Sequence, residues 1–148
     1  MQLVAKTADI SYWIEQEEST VNRVMYDGDL IHCLEMVNPN ENNFVVLHVM
    51  GCHELTLHRF PEDRTQFGQP GVFDLISNYE DAMAYSDWVW QQIYEYVEKK
   101  LNLQAMLIFS DHGANPYRKR TAENIPFINV RIPLIFYLSD EYQSFVSG

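Results

Sequence analysis

The sequence predicts an α/β domain with a mostly parallel sheet sandwiched by helices. Two apolar runs, at residues 44–47 and 105–109, are typical of buried strands, and each ends at polar residues. A long amphipathic helix lies between them, so strands and helices alternate along the chain as they do in parallel sheets. The 148 residues, 47% of them hydrophobic, are enough for one substantial core, and we predict a single domain over residues 1–148.

The first part of the chain is predicted to hold short elements. We interpret residues 3–7 as the tail of a helix and residues 10–14 as a short strand. Residues 26–29 can cap a short helix that carries the apolar residues Leu30, Ile31, Leu34 and Met36. The asparagine-rich residues 38–43 then form a turn before the strand at 44–47.

The strongest helix prediction covers residues 77–101. Ser77 is followed three residues later by Glu80, which is the pattern of a capping box. Helical spacing predicts a buried face formed by Tyr79, Met83, Trp90, Ile93, Tyr94, Val97 and Leu101.

The remaining residues are predicted to form a loop, two strands and a last helix. Residues 53–73 contain several glycines and prolines and indicate a long surface loop over the site. Strands are predicted at 105–109 and 132–138, and Asp140 can cap a final helix.

A candidate metal site follows the second apolar run, in the tetrapeptide Ser110-Asp111-His112-Gly113. Aspartate and histidine are ligand types for zinc or manganese. Neighbouring residues on a strand point to opposite faces, so both can reach one ion only if the strand ends there. Gly113 supplies such an end, because it permits positive φ and close backbone approach. We predict Asp111 and His112 as metal ligands, with a plain strand-end turn as the alternative.

Two histidines are the candidate catalytic residues. His48 ends the first apolar run, and His53 follows it across a turn that contains Gly51. Imidazolium groups can donate to a phosphoryl or sulfuryl oxygen, and neutral imidazoles can complete a second metal site. His48 can equally be a hydrogen-bonded core histidine, whereas His53 is expected in an exposed turn.

Charge and composition exclude several classes of protein. A net charge of −11 argues against an extended nucleic-acid surface. The basic residues 118–120 can steer a phosphate-bearing substrate or form a solvated loop. Cys33 and Cys52 are too few for a disulfide framework and leave the redox compartment open. No apolar run reaches the roughly 20 residues of a membrane span, and residues 1–6 lack the pattern of a signal peptide.

A set of motifs resembles the sulfatase-type catalytic domain of the alkaline phosphatase superfamily, and its phosphoethanolamine transferases most closely. Their order and spacing match over nearly the whole chain. The matching segments are residues 44–53, 59–61, 78–87, 110–113 and 131–139.

The resemblance implies a fold, a reaction and a role for each candidate residue. The fold would be part of the doubly wound alkaline-phosphatase-like sandwich. In the family, a threonine activated by zinc attacks the phosphorus of a phospholipid head group, and the phosphoethanolamine passes to lipid A or another envelope glycolipid. Asp111 and His112 match the metal ligands, and His53 matches a histidine that contacts substrate phosphate or a second zinc. His48 matches the histidine five positions earlier. The family's catalytic domain faces the periplasm at the inner membrane.

The sequence also departs from the family pattern. None of its threonines has the setting expected of the nucleophile, so the resemblance implies the carboxyl-terminal part of the catalytic domain, inactive alone. Cys52 stands where serine is usual, and no histidine follows Gly113. The number of metals and the choice between phosphate and sulfate esters therefore stay open. The threonines are Thr7, Thr20, Thr56, Thr65 and Thr121.

Two alternatives belong to other functional classes. The chain could be a non-catalytic binding or assembly remnant that dimerises through an exposed sheet edge. It could also be a self-contained hydrolase in which water is the nucleophile and one ion is held by His48, His53, Asp111 and His112.

Overall fold

The computed structural model describes Ala8, residues 26–117 and residues 127–147. The predicted helix tail at 3–7, the strand at 10–14 and the basic residues 118–120 lie outside the described residues. The described elements, in chain order, are the 3-10 helices η1 (Asp27–Met36), η2 (Thr56–His58) and η3 (Glu62–Arg64), helix α1 (Leu75–Lys100), strand β1 (Ala105–Phe109), the 3-10 helix η4 (Phe127–Val130), strand β2 (Leu134–Leu138) and helix α2 (Asp140–Ser147).

Helix α1 begins earlier than the sequence predicts. Its N-cap is Asp74, whose carboxylate accepts a hydrogen bond from the Ser77 backbone N–H at 2.8 Å. This bond satisfies one of the free N–H groups of the first turn. At the other end Lys99 and Lys100 lie where cations favour the helix dipole, and Asn102 just beyond adopts a left-handed φ of 51°.

The buried face of α1 differs from the predicted one. Of the predicted residues only Ile93 is buried, and Met83 is 47% exposed. The prediction was right in part, since Trp90 and Val97 pack against the core although they are only partly buried. The most buried stripe is rotated around the helix from the predicted one, and two polar side chains lie on it. That face consists of Asn78, Asp81, Ala82, Tyr85, Val89 and Ile93.

These polar side chains fix the loop at residues 53–73 to the helix. The Asp81 carboxylate, 0% exposed, accepts hydrogen bonds from the backbone N–H groups of residues 66, 67 and 68 at 2.6, 3.0 and 3.2 Å. Asn78 accepts from the Asp74 N–H at 2.8 Å and donates to the Val72 carbonyl at 3.3 Å. Paired in this way, the two buried groups avoid the cost of unsatisfied polar atoms.

The hydrophobic core forms where η1 and the loop pack on α1. Leu34 of η1 is 1% exposed and lies in one cluster with α1 and with Phe60 of the loop. The predicted short helix at this place is therefore confirmed, in 3-10 form. The buried apolar residues of the cluster are Leu34, Phe60, Ala82, Tyr85, Val89 and Ile93.

The described residues contain helices and one two-stranded sheet, and they do not confirm a parallel sandwich. β1 and β2 pair antiparallel, with Leu107 opposite Phe136 and Phe109 opposite Leu134. Residues 44–47 form no strand, and Phe44 is 92% exposed. A strand needs a neighbour for its backbone hydrogen bonds, and none of the described strands lies beside this segment.

One face of the two-stranded sheet is partly covered, and the other is largely open. On the covered face Met106 packs against the core, and the Tyr137 ring meets the Tyr94 ring of α1 edge to face at 5.5 Å. Four of the side chains that alternate with these along the strands are 49% to 68% exposed. We call this the open sheet face; it consists of Leu107, Phe109, Leu134 and Phe136.

Candidate functional site

The Asp111-His112 pair lies in the turn directly after β1, as predicted. The His112 Nδ1 is 2.9 Å from the Gly113 carbonyl oxygen. A carbonyl oxygen can only accept, so Nδ1 is the donor in this contact, and Nε2 is the ring nitrogen that could bind a metal ion. Metal-bound histidines are commonly oriented in this way. The Nε2 lies 3.9 Å from the Asp111 Oδ1, and the Asp111 side chain is 87% exposed.

That 3.9 Å separation fits two ligands of one ion. Zinc binds nitrogen and oxygen at about 2.0 to 2.2 Å, so tetrahedral ligand atoms lie about 3.3 to 3.5 Å apart, and a small side-chain rotation closes the difference. The pair has the donor types, the tautomer and the open carboxylate that a metal site requires. The pair could therefore provide two ligands of such a site.

The backbone around the pair is held by short hydrogen bonds. The Ser110 hydroxyl donates to the His112 carbonyl at 2.7 Å, and the Gly113 N–H donates to the Asn129 carbonyl of η4 at 2.7 Å. A Cβ on Gly113 would overlap the carbonyl oxygens of Ile128 and Arg131. Glycine is therefore required by close backbone approach; Gly113 is not among the residues with positive φ.

The structure places both candidate histidines on the surface. His48 is exposed, so the interpretation as a core histidine is wrong. His53 is exposed, as predicted, and its backbone N–H donates to the Met50 carbonyl at 3.1 Å. Gly51 within this turn has a φ of 52°, which favours glycine. We call residues 50–53 the His53 turn.

Asp27 contacts the His53 turn, although its sequence position predicts only a role in a helix cap. Its carboxylate accepts hydrogen bonds from the backbone N–H groups of Met50 and Gly51 at 3.0 and 2.7 Å. The partners lie 23 and 24 residues away along the chain. No local sequence pattern reports a contact of that range.

Neither cysteine is an activated nucleophile. Burial raises the pKa of the Cys52 thiol from its ordinary 9.0 to about 11, and the hydrogen bond with Ser86 opposes this only in part. Burial, with a smaller contribution from Asp29, also raises the pKa of Cys33. Both are free thiols. Because the thiolate is the reactive form, both are protonated and unreactive at neutral pH.

The structure brings Asp111 and His112 together, but it does not assemble a larger metal cluster in its described part. Within residues 26–117 and 127–147, no group of three or more His, Cys, Asp or Glu side chains could hold a metal ion. A single ion shared by His48, His53, Asp111 and His112 is therefore not formed by this arrangement.

The length and hydropathy of the described helices bear on whether they could span a membrane. None of those within the described ranges combines the length and apolar character needed to cross a bilayer.

The chain is similar to known proteins over nearly its whole length. The sulfatase family model matches residues 4–147. The phosphoethanolamine transferase EptC of Escherichia coli O18:K1:H7 (strain RS218 / NMEC) is 22% identical over 163 residues, which cover 97% of this chain and 28% of that protein. The chain thus spans under a third of the length of this relative. No solved structure matches the chain.

Proposed function

Because the chain belongs to the sulfatase family, we propose that it forms part of the catalytic domain of a metal-dependent phosphoethanolamine transferase or a related sulfatase-like enzyme. The substrates would be phosphate, or sulfate, esters of the cell envelope. The observation that carries the proposal is the orientation of His112, whose Nδ1–H donates to the Gly113 carbonyl and leaves Nε2 beside the Asp111 carboxylate.

Asp111 and His112 would hold the metal ion, and zinc suits this nitrogen and oxygen pair best, with manganese or another divalent ion as the alternative. When bound, the ion would polarise a phosphoryl oxygen and stabilise the charge that develops on it. The exposed Asp111 carboxylate leaves space for the further ligands that a four-coordinate site requires.

His53 would bind the substrate phosphate. Its exposed imidazole stands on a turn whose backbone is fixed by hydrogen bonds, and in its protonated form both ring nitrogens donate. His48, also exposed and five residues earlier, would assist in the same role. Similarity to a phosphoethanolamine transferase supports a phospholipid head group as donor and an envelope glycolipid as acceptor. Such substrates imply the periplasmic face of the inner membrane.

The residues described here would act together with a nucleophile that they do not provide. Of the threonines among the described residues, Thr56 is only 8% exposed, and Thr65, which is half-buried, lacks the sequence setting expected of the nucleophile. We expect no transfer by the 148 residues alone, because covalent catalysis requires a positioned attacking group. In the complete enzyme the sheet would extend into a parallel sandwich, and the open sheet face supports this because such sheets are covered on both sides.

Zinc binding tests the proposal directly. Titration calorimetry of the chain with zinc is expected to show binding that weakens at least tenfold in Asp111→Ala and in His112→Ala, because each change removes one ligand. His58→Ala is the matched control, since His58 is exposed and lies outside the proposed site. Equal zinc affinity in all four proteins would contradict the assignment.

A second candidate function is that of a non-catalytic assembly module. The open sheet face favours it, because large exposed apolar patches mark surfaces that another chain or domain covers. This candidate predicts a homodimer without zinc binding at Asp111 and His112.

The self-contained hydrolase has less support, because the described residues form no group of three or more metal ligands. Turnover of a chromogenic phosphodiester by the isolated chain, lost in His53→Ala, would nevertheless establish it over the other two candidates.

A further inference from the structure

The His53 turn is tied to the rest of the molecule by one carboxylate. The Asp27 carboxylate accepts hydrogen bonds from two adjacent backbone N–H groups, that of Met50 at 3.0 Å and that of Gly51 at 2.7 Å. Hydrogen bonds to an ionised carboxylate are shorter and stronger than neutral ones. We propose that Asp27 is a positioning residue that holds His53 in place for binding a phosphate oxygen. This inference rests on the proposed function of His53.

The backbone next to Asp27 is held by the core. The neighbouring Gly28 N–H donates to the Tyr85 hydroxyl of α1 at 3.2 Å. Tyr85 is 6% exposed, and its ring stacks on Trp88 with the centroids 5.6 Å apart. A Cβ on Gly28 would lie 2.6 Å from the Tyr85 hydroxyl oxygen, so the backbone approaches the helix closely. A continuous series of contacts thus runs from the buried helix through Asp27 to the turn.

A second contact attaches the His53 turn to the core independently of Asp27. The Cys52 side chain packs against the core cluster, to which α1 contributes. The loss of the Asp27 carboxylate should therefore leave the turn attached to the domain. What changes is the orientation of the peptide groups at Met50 and Gly51.

That orientation determines where the His53 imidazole lies. The His53 N–H donates to the Met50 carbonyl at 3.1 Å, so the backbone of His53 follows any rotation of the residues that Asp27 holds. A displacement of about 1 Å is enough to weaken binding or catalysis strongly. Asp27 thus acts on the substrate through His53 without touching it.

The test uses inorganic phosphate as the probe and the full chain as the protein. Nuclear magnetic resonance follows the backbone amide signals of residues 50–54 during a phosphate titration, in the wild type and in Asp27→Asn, His53→Ala and Asp63→Asn. We expect Asp27→Asn to weaken phosphate binding about five- to tenfold. The asparagine NH2 group cannot accept a hydrogen bond, so one of the two backbone N–H groups loses its acceptor. Asp63→Asn removes an exposed acidic charge from η3 and should leave the affinity unchanged.

The outcomes separate the inference from the function on which it rests. If His53→Ala abolishes phosphate binding and Asp27→Asn does not weaken it, the positioning role is wrong and the role of His53 stands. If His53→Ala binds phosphate as the wild type does, the proposed role of His53 is wrong and the inference falls with it. If Asp27→Asn and Asp63→Asn weaken binding equally, the effect is one of charge, and the positioning role is again wrong.

A measurement on the wild type alone covers the case in which Asp27→Asn fails to fold. The Met50 and Gly51 amide protons should exchange with solvent at least tenfold more slowly than the exposed amide of Val46, which has no such carboxylate partner among the described contacts. Equal exchange rates would overturn the inference. Tyr85→Phe, which removes only the bond to Gly28, should accelerate exchange at both amides.

Discussion

Single polar side chains decide where the longest loop and the His53 turn lie. Asp81 and Asp27 each accept hydrogen bonds from several backbone N–H groups of a segment that is distant in the sequence. Asp111, His112 and Gly113 could be predicted from the sequence because they are adjacent and directly follow an apolar run typical of a strand. The roles of Asp27 and Asp81 could not be predicted, because an aspartate that binds backbone groups far along the chain leaves no periodic or local pattern.

At Asp81 the expected consequence is a large loss of stability. Asp81→Ala should lower the free energy of unfolding by about 3 kcal/mol, because three N–H groups lose their acceptor inside the protein. Urea denaturation measures the change. Asp87→Ala, an exposed position of the same helix, is the control and should change stability by less than about 0.5 kcal/mol. Equal effects at the two positions would show that the Asp81 bonds do not hold the loop.

Cys52 makes stability depend on pH in the alkaline range. The unfolded thiol ionises near 9.0, whereas the native thiol keeps its proton up to about 11. The native state therefore binds more protons between these values, and its stability falls as the pH rises through them; below pH 9 this contribution is fully present. Urea denaturation at pH 8 and pH 10.5 should show a smaller loss in Cys52→Ser than in the wild type. An identical loss would contradict the buried, protonated thiol.

At the scale of elements, the helices were predicted better than the strands. The existence of η1, α1 and α2 followed from capping residues and helical spacing, which are local signals. The inner face of α1 did not, because Asn78 and Asp81 occupy it. The segment at 44–47 has the composition of a strand, but a strand also requires a hydrogen-bonding neighbour, and composition cannot report that.

The packing of η1 on α1 depends on Leu34. Leu34→Ala should destabilise the protein by about 3 kcal/mol, since the side chain is 1% exposed and its removal leaves a cavity against the helix. Met36→Ala is the control, because Met36 belongs to the same element and is 46% exposed. Thermal denaturation should show a clear decrease in Tm for the first variant alone. Similar decreases for both would mean that η1 is not anchored through Leu34.

The contact between the Asp111-His112 turn and η4 depends on Gly113. Gly113→Ala should cost about 2 kcal/mol, because its methyl group meets two backbone carbonyl oxygens that cannot move away as a side chain can. Zinc affinity should fall as well, since His112 is oriented by the Gly113 carbonyl. Ala114→Ser, at the exposed next residue, serves as the control. Normal stability and zinc affinity in Gly113→Ala would contradict the close approach.

For the whole molecule, the alternation of elements predicted the α/β class, and the family match agrees with it. The parallel arrangement is not confirmed, because the two described strands pair antiparallel. Strand direction depends on how distant segments meet, and the apolar character of a run is the same in either direction. The open sheet face forms only when β1 and β2 pair, so it could not be predicted from either strand alone.

The open sheet face should cause self-association of the isolated chain. Sedimentation velocity is expected to show a dimer in the wild type and a monomer in Phe136→Lys, because a charge in the middle of the face prevents its burial. Met83→Lys introduces the same charge at an exposed position of α1 and should remain dimeric. A monomeric wild type would rule out the assembly module, and a dimeric Phe136→Lys would place the interface elsewhere.

The hydrogen bonds of Asp81 also determine which residues of the loop can be substituted without loss of folding. Asp81 binds main-chain N–H groups only, so the side chains of Gln66 and Phe67, both exposed, do not contribute to it. Gly68 differs, because a Cβ there would lie 3.2 Å from Ser77 and 3.3 Å from Asp81. A library randomised at positions 66 and 67 should therefore yield mostly folded members, which makes this short stretch a place to graft new binding sequences without redesigning the domain.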